Sequence, residues 1–192
     1  MVSTTTPLVR SIAGREVPSA GDWEIDPSHS SAEFRVRHLV AAKVRGRFGK
    51  LQGTIHIAEV PEESTVEVTI EAASIDTRDE QRDGHLRSPD FLDVEKYPSL
   101  TFRSTKVVPV SSDKWKVEGE LTIRNVTRPV TLDVEFNGVV LDMEGKERAG
   151  FSATTEIDRY DFDLTWNQTL ETGGLLVGKQ IQIEIEVEAK KL

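Results

Sequence analysis

Long stretches of this chain alternate apolar and polar residues with a period of two. That is the pattern of a strand with one face buried and one face wet. Val66, Val68 and Ile70 alternate with Thr65, Glu67, Thr69 and Glu71. Trp115, Val117, Leu121 and Ile123 alternate with Lys116, Glu118, Glu120 and Thr122, and Val130, Leu132, Val134 and Phe136 with Thr131, Asp133 and Glu135. Near the end, Ile181, Ile183, Ile185 and Val187 alternate with Gln182, Glu184, Glu186 and Glu188. Phe34, Val36 and His38 share one face of a further segment, opposite Glu33, Arg35 and Arg37. Adding 43–58, 100–110 and 148–157 gives eight long strands, preceded by a short one at 23–25.

Turn residues separate them: Pro61, Ser111-Ser112-Asp113, Asn125, Asn137-Gly138 and Glu144-Gly145. Gly46, Gly49 and Gly53 interrupt the second long strand, where a closing sheet needs a bulge or bend. Eight such strands form either a sandwich or a barrel. The short hairpin connections favour an up-and-down antiparallel β-barrel, all-β, folded as one domain over residues 21–192. Residues 1–20 read as a flexible N-terminal tail. One segment breaks the alternation. Residues 79–91 lack β-branched side chains and predict a short helix in a connection, capped by Asp76 or Thr77 and stopped before Pro89. A second irregular stretch, 159–177, is too apolar for an exposed loop and should pack inward or line an opening.

Composition narrows the function. A net charge of −9 repels phosphate backbones, so nucleic acid is not an expected partner. A basic run, Arg35, Arg37, Lys43, Arg45, Arg47 and Lys50, departs from that balance, but a solvated face of two strands accounts for it. There is no cysteine, hence no disulfide, zinc–thiolate site or cysteine nucleophile. No apolar run approaches the roughly 20 residues of a membrane span. The N-terminal twenty residues hold no apolar signal segment, which predicts a cytoplasmic protein. The four histidines are scattered, and no metal spacing, G-x-S-x-G elbow or glycine-rich phosphate loop occurs. No cofactor and no metal are therefore expected.

Several motifs in order resemble the YceI-like, polyisoprenoid-binding proteins. Trp23-Glu24-Ile25-Asp26-Pro27-Ser28-His29-Ser30 leads into Phe34-Arg35-Val36-Arg37-His38, then Gly46-Arg47-Phe48 and Gly53. Ser74-Ile75-Asp76-Thr77, the run Arg82 to Asp93, Tyr97-Pro98 and Thr101-Phe102-Arg103-Ser104-Thr105 follow, then Gly119 to Ile123 and Val126-Thr127-Arg128-Pro129-Val130. The resemblance implies a lipocalin-like barrel that holds a long isoprenoid or similar amphiphile, such as a polyprenyl or quinone, in its lumen without catalysing a reaction. It also implies that a homodimer can form. Asn125 and Asp163 stand where the family usually has glycine.

The expected lining is Phe34, Val36, His38, Phe48, Val68, Ile70, Phe102, Leu121, Ile123, Phe151, Phe162, Leu164, Trp166 and Leu176. Periodicity alone does not separate a lumen filled by these side chains from one that holds a lipophilic small molecule. Two other readings stay open. One is an enzyme on an isoprenoid-like substrate using His38 or the acidic cluster Asp158, Asp161 and Asp163. The other is a cavity-poor dimeric interaction protein.

Overall fold

The computed structural model describes residues 8–39, 42–171 and 173–192. Residues 1–7 of the expected tail lie outside them. The rest of that stretch is a hairpin: β1 (Val9–Ile12) pairs antiparallel with β2 (Arg15–Pro18). Val17 is buried, and Val9 packs against a cluster containing Trp23 and Phe136. Arg10 donates to the carbonyls of Pro18 and Ala58. A four-residue strand gives too few alternations to read, and this packing is what holds it.

The remaining strands close a barrel. β3 (Gly21–Ile25) and β4 (Ser31–His38) form one bent strand, as do β5 (Ala42–Phe48) and β6 (Leu51–Ile57). β7 (Thr65–Glu71) continues through a 3₁₀ turn into β8 (Ile75–Asp76). After helix α1 (Glu80–Arg87) come β9 (Ser99–Pro109), β10 (Lys114–Ile123), β11 (Val126–Leu141), β12 (Glu147–Asp158) and β13 (Val177–Lys191). Every neighbour in the sheet is the next strand in the chain and runs antiparallel. β13 returns to pair with β3 and β4, which closes the circuit at eight strands. Closure pairs the first and last strands of the circuit with each other, so neither is left as a free edge.

The bends have local causes. At the β3–β4 bend the Asp26 carboxylate accepts from the Ser28 amide and from Arg148 of β12. At Gly53 an added Cβ would run into the Glu67 carbonyl oxygen and Ile25, so only glycine lets β6 and β7 approach this closely. Gly119 sits at a register shift between β10 and β9, with the Phe102 ring against it.

Helix α1 covers one end of the barrel. It is capped by Asp79, whose side chain accepts from the Arg82 amide, and not by Asp76 or Thr77. Asp76 is engaged elsewhere, by the Arg78 amide and Arg47. Few apolar groups attach this helix, so hydrogen bonds do much of the work. Buried Asp83 accepts from the Thr77 amide and hydroxyl, and Arg87 donates to the carbonyls of Ala73 and Ile75. The helix gives way to Ser88, before Pro89, as expected.

Side chains fill the two ends of the barrel. One cluster joins Leu92, Ile123, Val126, Ile157, Phe162 and Leu164 near α1; the other joins Trp23, Ile57, Phe136, Ala149 and Ala189 at the far end. Among the described residues no helix is long and apolar enough to cross a membrane.

Candidate functional site: the barrel cavity

A cavity of about 570 Å³ opens between the far-end cluster and α1, and Leu92, Ile123, Ile157 and Leu164 of the first cluster form part of its wall. Small-molecule sites run from about 300 to 1,000 Å³. All eight strands of the circuit contribute wall residues, because the inward positions of an alternating strand all face one interior. β13 contributes Ile181, Ile183, Ile185 and Val187, and β9 contributes Leu100 and Phe102.

Of the residues expected from sequence, Phe34, Val36, His38, Phe48, Val68, Ile70, Phe102, Leu121, Ile123, Leu164, Trp166 and Leu176 lie on this wall. Phe151 and Phe162 do not. Phe151 lies in the far-end cluster, its ring centroid 5.6 Å from that of Phe136, its cross-strand partner. Phe162 sits in the 3₁₀ turn Arg159–Phe162 and is 1% exposed within the cluster behind the wall. Phe151 faces inward, but at a height that side chains fill. Alternation marked the β13 side chains as inward, and they belong with the lining. Gln81, Arg82 and Leu86 of α1 also reach the wall, and no periodic signal pointed to them.

The polar side chains of the wall concentrate at the end carrying α1 and the 159–176 connection. His38 pairs in register with Val177, and Leu39 donates its amide to the Leu176 carbonyl. The Trp166 ring meets His85 edge-on at 4.5 Å, and His85 Nε2 is 2.9 Å from an Asp90 carboxylate oxygen. Asn167 ties the connection down, donating to the Val177 carbonyl and accepting from the Val177 amide.

Arg159 is the centre of this end. It is 2% exposed and belongs to the wall. Its Nε donates to Gly178 O, Nη1 to the carbonyls of Leu164 and Trp166, and Nη2 to that of Val177. Burial pushes its guanidinium below the ordinary arginine range. No sequence signal gave Arg159 a role of its own beside Asp158, Asp161 and Asp163. Those acids do not line the cavity: Asp158 accepts from the Tyr160 amide, while Asp161 and Asp163 are exposed. Asp163 has φ 58°, a left-handed position that glycine fills most easily and Asp tolerates.

Asp26, His29 and Glu188 come within 4.8 Å of one another away from the cavity. The Arg148 guanidinium bonds both Asp26 and Glu188, so an ion-pair network accounts for this cluster.

A family model described as the YceI-like domain matches residues 23–189. The UPF0312 protein SAS2572 of Staphylococcus aureus is 37% identical over 170 residues, 87% of this chain and 96% of that protein. BcnA of Burkholderia cenocepacia has the same fold, with a TM-score of 0.75 at 22% identity, covering 85% of this chain and 98% of BcnA. A polyisoprenoid binding domain from Saccharophagus degradans does too, with a TM-score of 0.66 at 15% identity, covering 91% of this chain and all of that domain. With its motifs, barrel and matched length in agreement, this chain belongs to the YceI-like family.

Proposed function

We propose that the protein binds a long lipophilic molecule of isoprenoid type inside the barrel, and carries or sequesters it unchanged. One observation carries this reading: the 570 Å³ cavity is lined by aliphatic and aromatic side chains along its length, with its polar groups concentrated at one end. That is the shape of a site for an amphiphile. At about 30 Å³ per water-sized group, the space accepts a chain on the order of fifteen to twenty carbons. Transfer of such a chain from water is favourable by about 0.8 kcal/mol per methylene, so tight binding needs few polar contacts. The likeness to a polyisoprenoid binding domain supports the ligand class. The placement of Asp158, Asp161 and Asp163 off the wall supports a role without acid–base chemistry.

Native mass spectrometry of protein purified from its own host, followed by solvent extraction, tests the reading. The expected result is a one-to-one adduct that releases a long-chain lipid. Recovery of protein with no adduct, together with no binding of geranylgeraniol at micromolar concentration, refutes it.

A further inference from the structure

We infer that Arg159 is the anchor for an acidic head group, so that the ligand is an amphiphile ending in a carboxylate or a phosphate. The inference rests on the cavity taking a lipophilic chain, and it specifies the other end of that molecule.

The guanidinium has five N–H donors, and four are accounted for by the carbonyls of Gly178, Leu164, Trp166 and Val177. The second Nη2 hydrogen has no carbonyl partner, and the Tyr160 side chain lies against the guanidinium, its ring centroid 4.8 Å from Cζ. The carbonyls satisfy hydrogen bonds without neutralising the charge, and among the described residues no carboxylate forms an ion pair with it. Asp158, its sequence neighbour, accepts from the Tyr160 amide and acts on the guanidinium only through space. Buried arginines are ordinarily paired, because a buried charge without a counter-ion is unfavourable by several kcal/mol.

The basic side chains that α1 places on this wall have partners. Arg82 donates to Thr77 and faces Asp79 at 3.8 Å, and His85 contacts Asp90. Arg159 is the one charged residue of the wall that is buried, and among the described residues it makes no ion pair. Two further nitrogen-bearing side chains accompany it. The Trp166 indole N–H and the His38 ring nitrogens have no hydrogen-bond partner among the described residues, and both side chains are on the same wall. An alcohol, amide or quinone could accept such hydrogen bonds. Only an anion also supplies the missing charge.

The test compares head groups on identical chains. Full-length protein stripped of lipid is titrated calorimetrically at pH 7 with palmitate against hexadecanol, and with geranylgeranyl phosphate against geranylgeraniol. The acid of at least one pair should bind roughly tenfold to a hundredfold more tightly than its alcohol, the weight of one charge-assisted hydrogen bond. The pair showing the larger ratio distinguishes carboxylate from phosphate. Equal affinity for acid and alcohol in both pairs overturns the inference and leaves the cavity reading intact. Failure of every probe to bind overturns both.

Arg159→Met should bring the ratio close to one. Because Arg159 also ties down the connection, a second measurement uses the unaltered protein. Carbon-13 NMR of bound palmitate labelled at its carboxyl should show that group titrating below its free value. Burial without a cation would raise it, and a raised value overturns the inference.

Discussion

Replacing Asp26 by Asn tests how the barrel is held at the β3–β4 bend. The Asp26 carboxylate accepts from the Ser28 amide at 2.9 Å, from His29 at 3.2 Å and from Arg148 at 2.7 Å. Arg148 also reaches Asp142 and Glu188, so one cluster staples the β3–β4 bend to β12 and β13. These contacts, the Ser28 amide foremost, then His29 and Arg148, hold the carboxyl at about 2, below its usual 3.8. At about 1.36 kcal/mol per tenfold change in proton affinity, the ionised form contributes roughly 2 kcal/mol. The side chain is 19% exposed, and solvent screening reduces this to about 1 to 2 kcal/mol. The folded-state value is the lower one. The contribution is therefore present above the unfolded value and is lost as pH falls from about 4 to about 2. Urea unfolding of the wild type and Asp26→Asn across this range should show a constant gap above about pH 5 that shrinks toward zero near pH 2. The melting temperature at pH 7 should fall by about 2 to 8 °C for a chain of this size. A gap that stays the same from pH 7 to pH 2.5 would refute the electrostatic account. So would no gap at pH 7.

Four further perturbations separate wall from frame. Ile183→Trp should reduce affinity for geranylgeraniol at least tenfold in a fluorescence titration, with the far-ultraviolet circular dichroism spectrum retained, because Ile183 faces the open cavity. Trp166 is the one tryptophan of the three on the wall, so ligand-induced changes in intrinsic fluorescence should disappear in Trp166→Phe while calorimetric binding persists. Gly119→Ala should lower stability by about 1 to 3 kcal/mol in urea unfolding, since the new Cβ would sit 2.6 Å from the Arg103 carbonyl oxygen and 2.5 Å from the Phe102 ring. Asp83→Ala strands the buried Thr77 amide and should cost about 1 to 3 kcal/mol, with hydrogen exchange accelerating first across α1.

The barrel was legible because its signal is short-range and repeated: seven or more residues of clean alternation identify a strand, and hairpin turns order the strands as neighbours. The same signal carries no information about height along the barrel axis. Phe151 and Val68 both face inward, but one fills an end and the other bounds the cavity. Phe162 misleads for a different reason. It belongs to a 3₁₀ turn, where the direction of a side chain follows from tertiary packing and not from a period. The β1–β2 hairpin offered only four residues a side, and Asp79 competed with Asp76 and Thr77 as an equally suitable cap. Arg159 was the least readable. Its partners are backbone carbonyls from residues 164–178, and nothing in the identity of those residues announces that their carbonyls will converge.

An apolar cavity of this size raises the question of how the protein tolerates it. Cavities left by truncating core side chains cost about 24 cal/mol per Å³. At that rate 570 Å³ would cost on the order of 14 kcal/mol, close to the whole net stability of an ordinary domain, about 5 to 15 kcal/mol. So large a void cannot be a packing defect absorbed elsewhere. Closure offers the way out. The wall of a closed barrel is held by its own ladder of backbone hydrogen bonds, pairing every strand with two neighbours, and it does not need interior contacts to keep its shape. Compact side-chain packing is then required only where the chain must hold the ring in register. That is where it occurs, in the clusters around Trp23 and around Phe162, and in the ion pairs of Arg148. Stability sits at the ends and capacity in the middle. Substitutions at cluster residues off the wall, such as Trp23, Phe136 and Phe162, should therefore be read out mainly in unfolding, and substitutions on the wall mainly in binding.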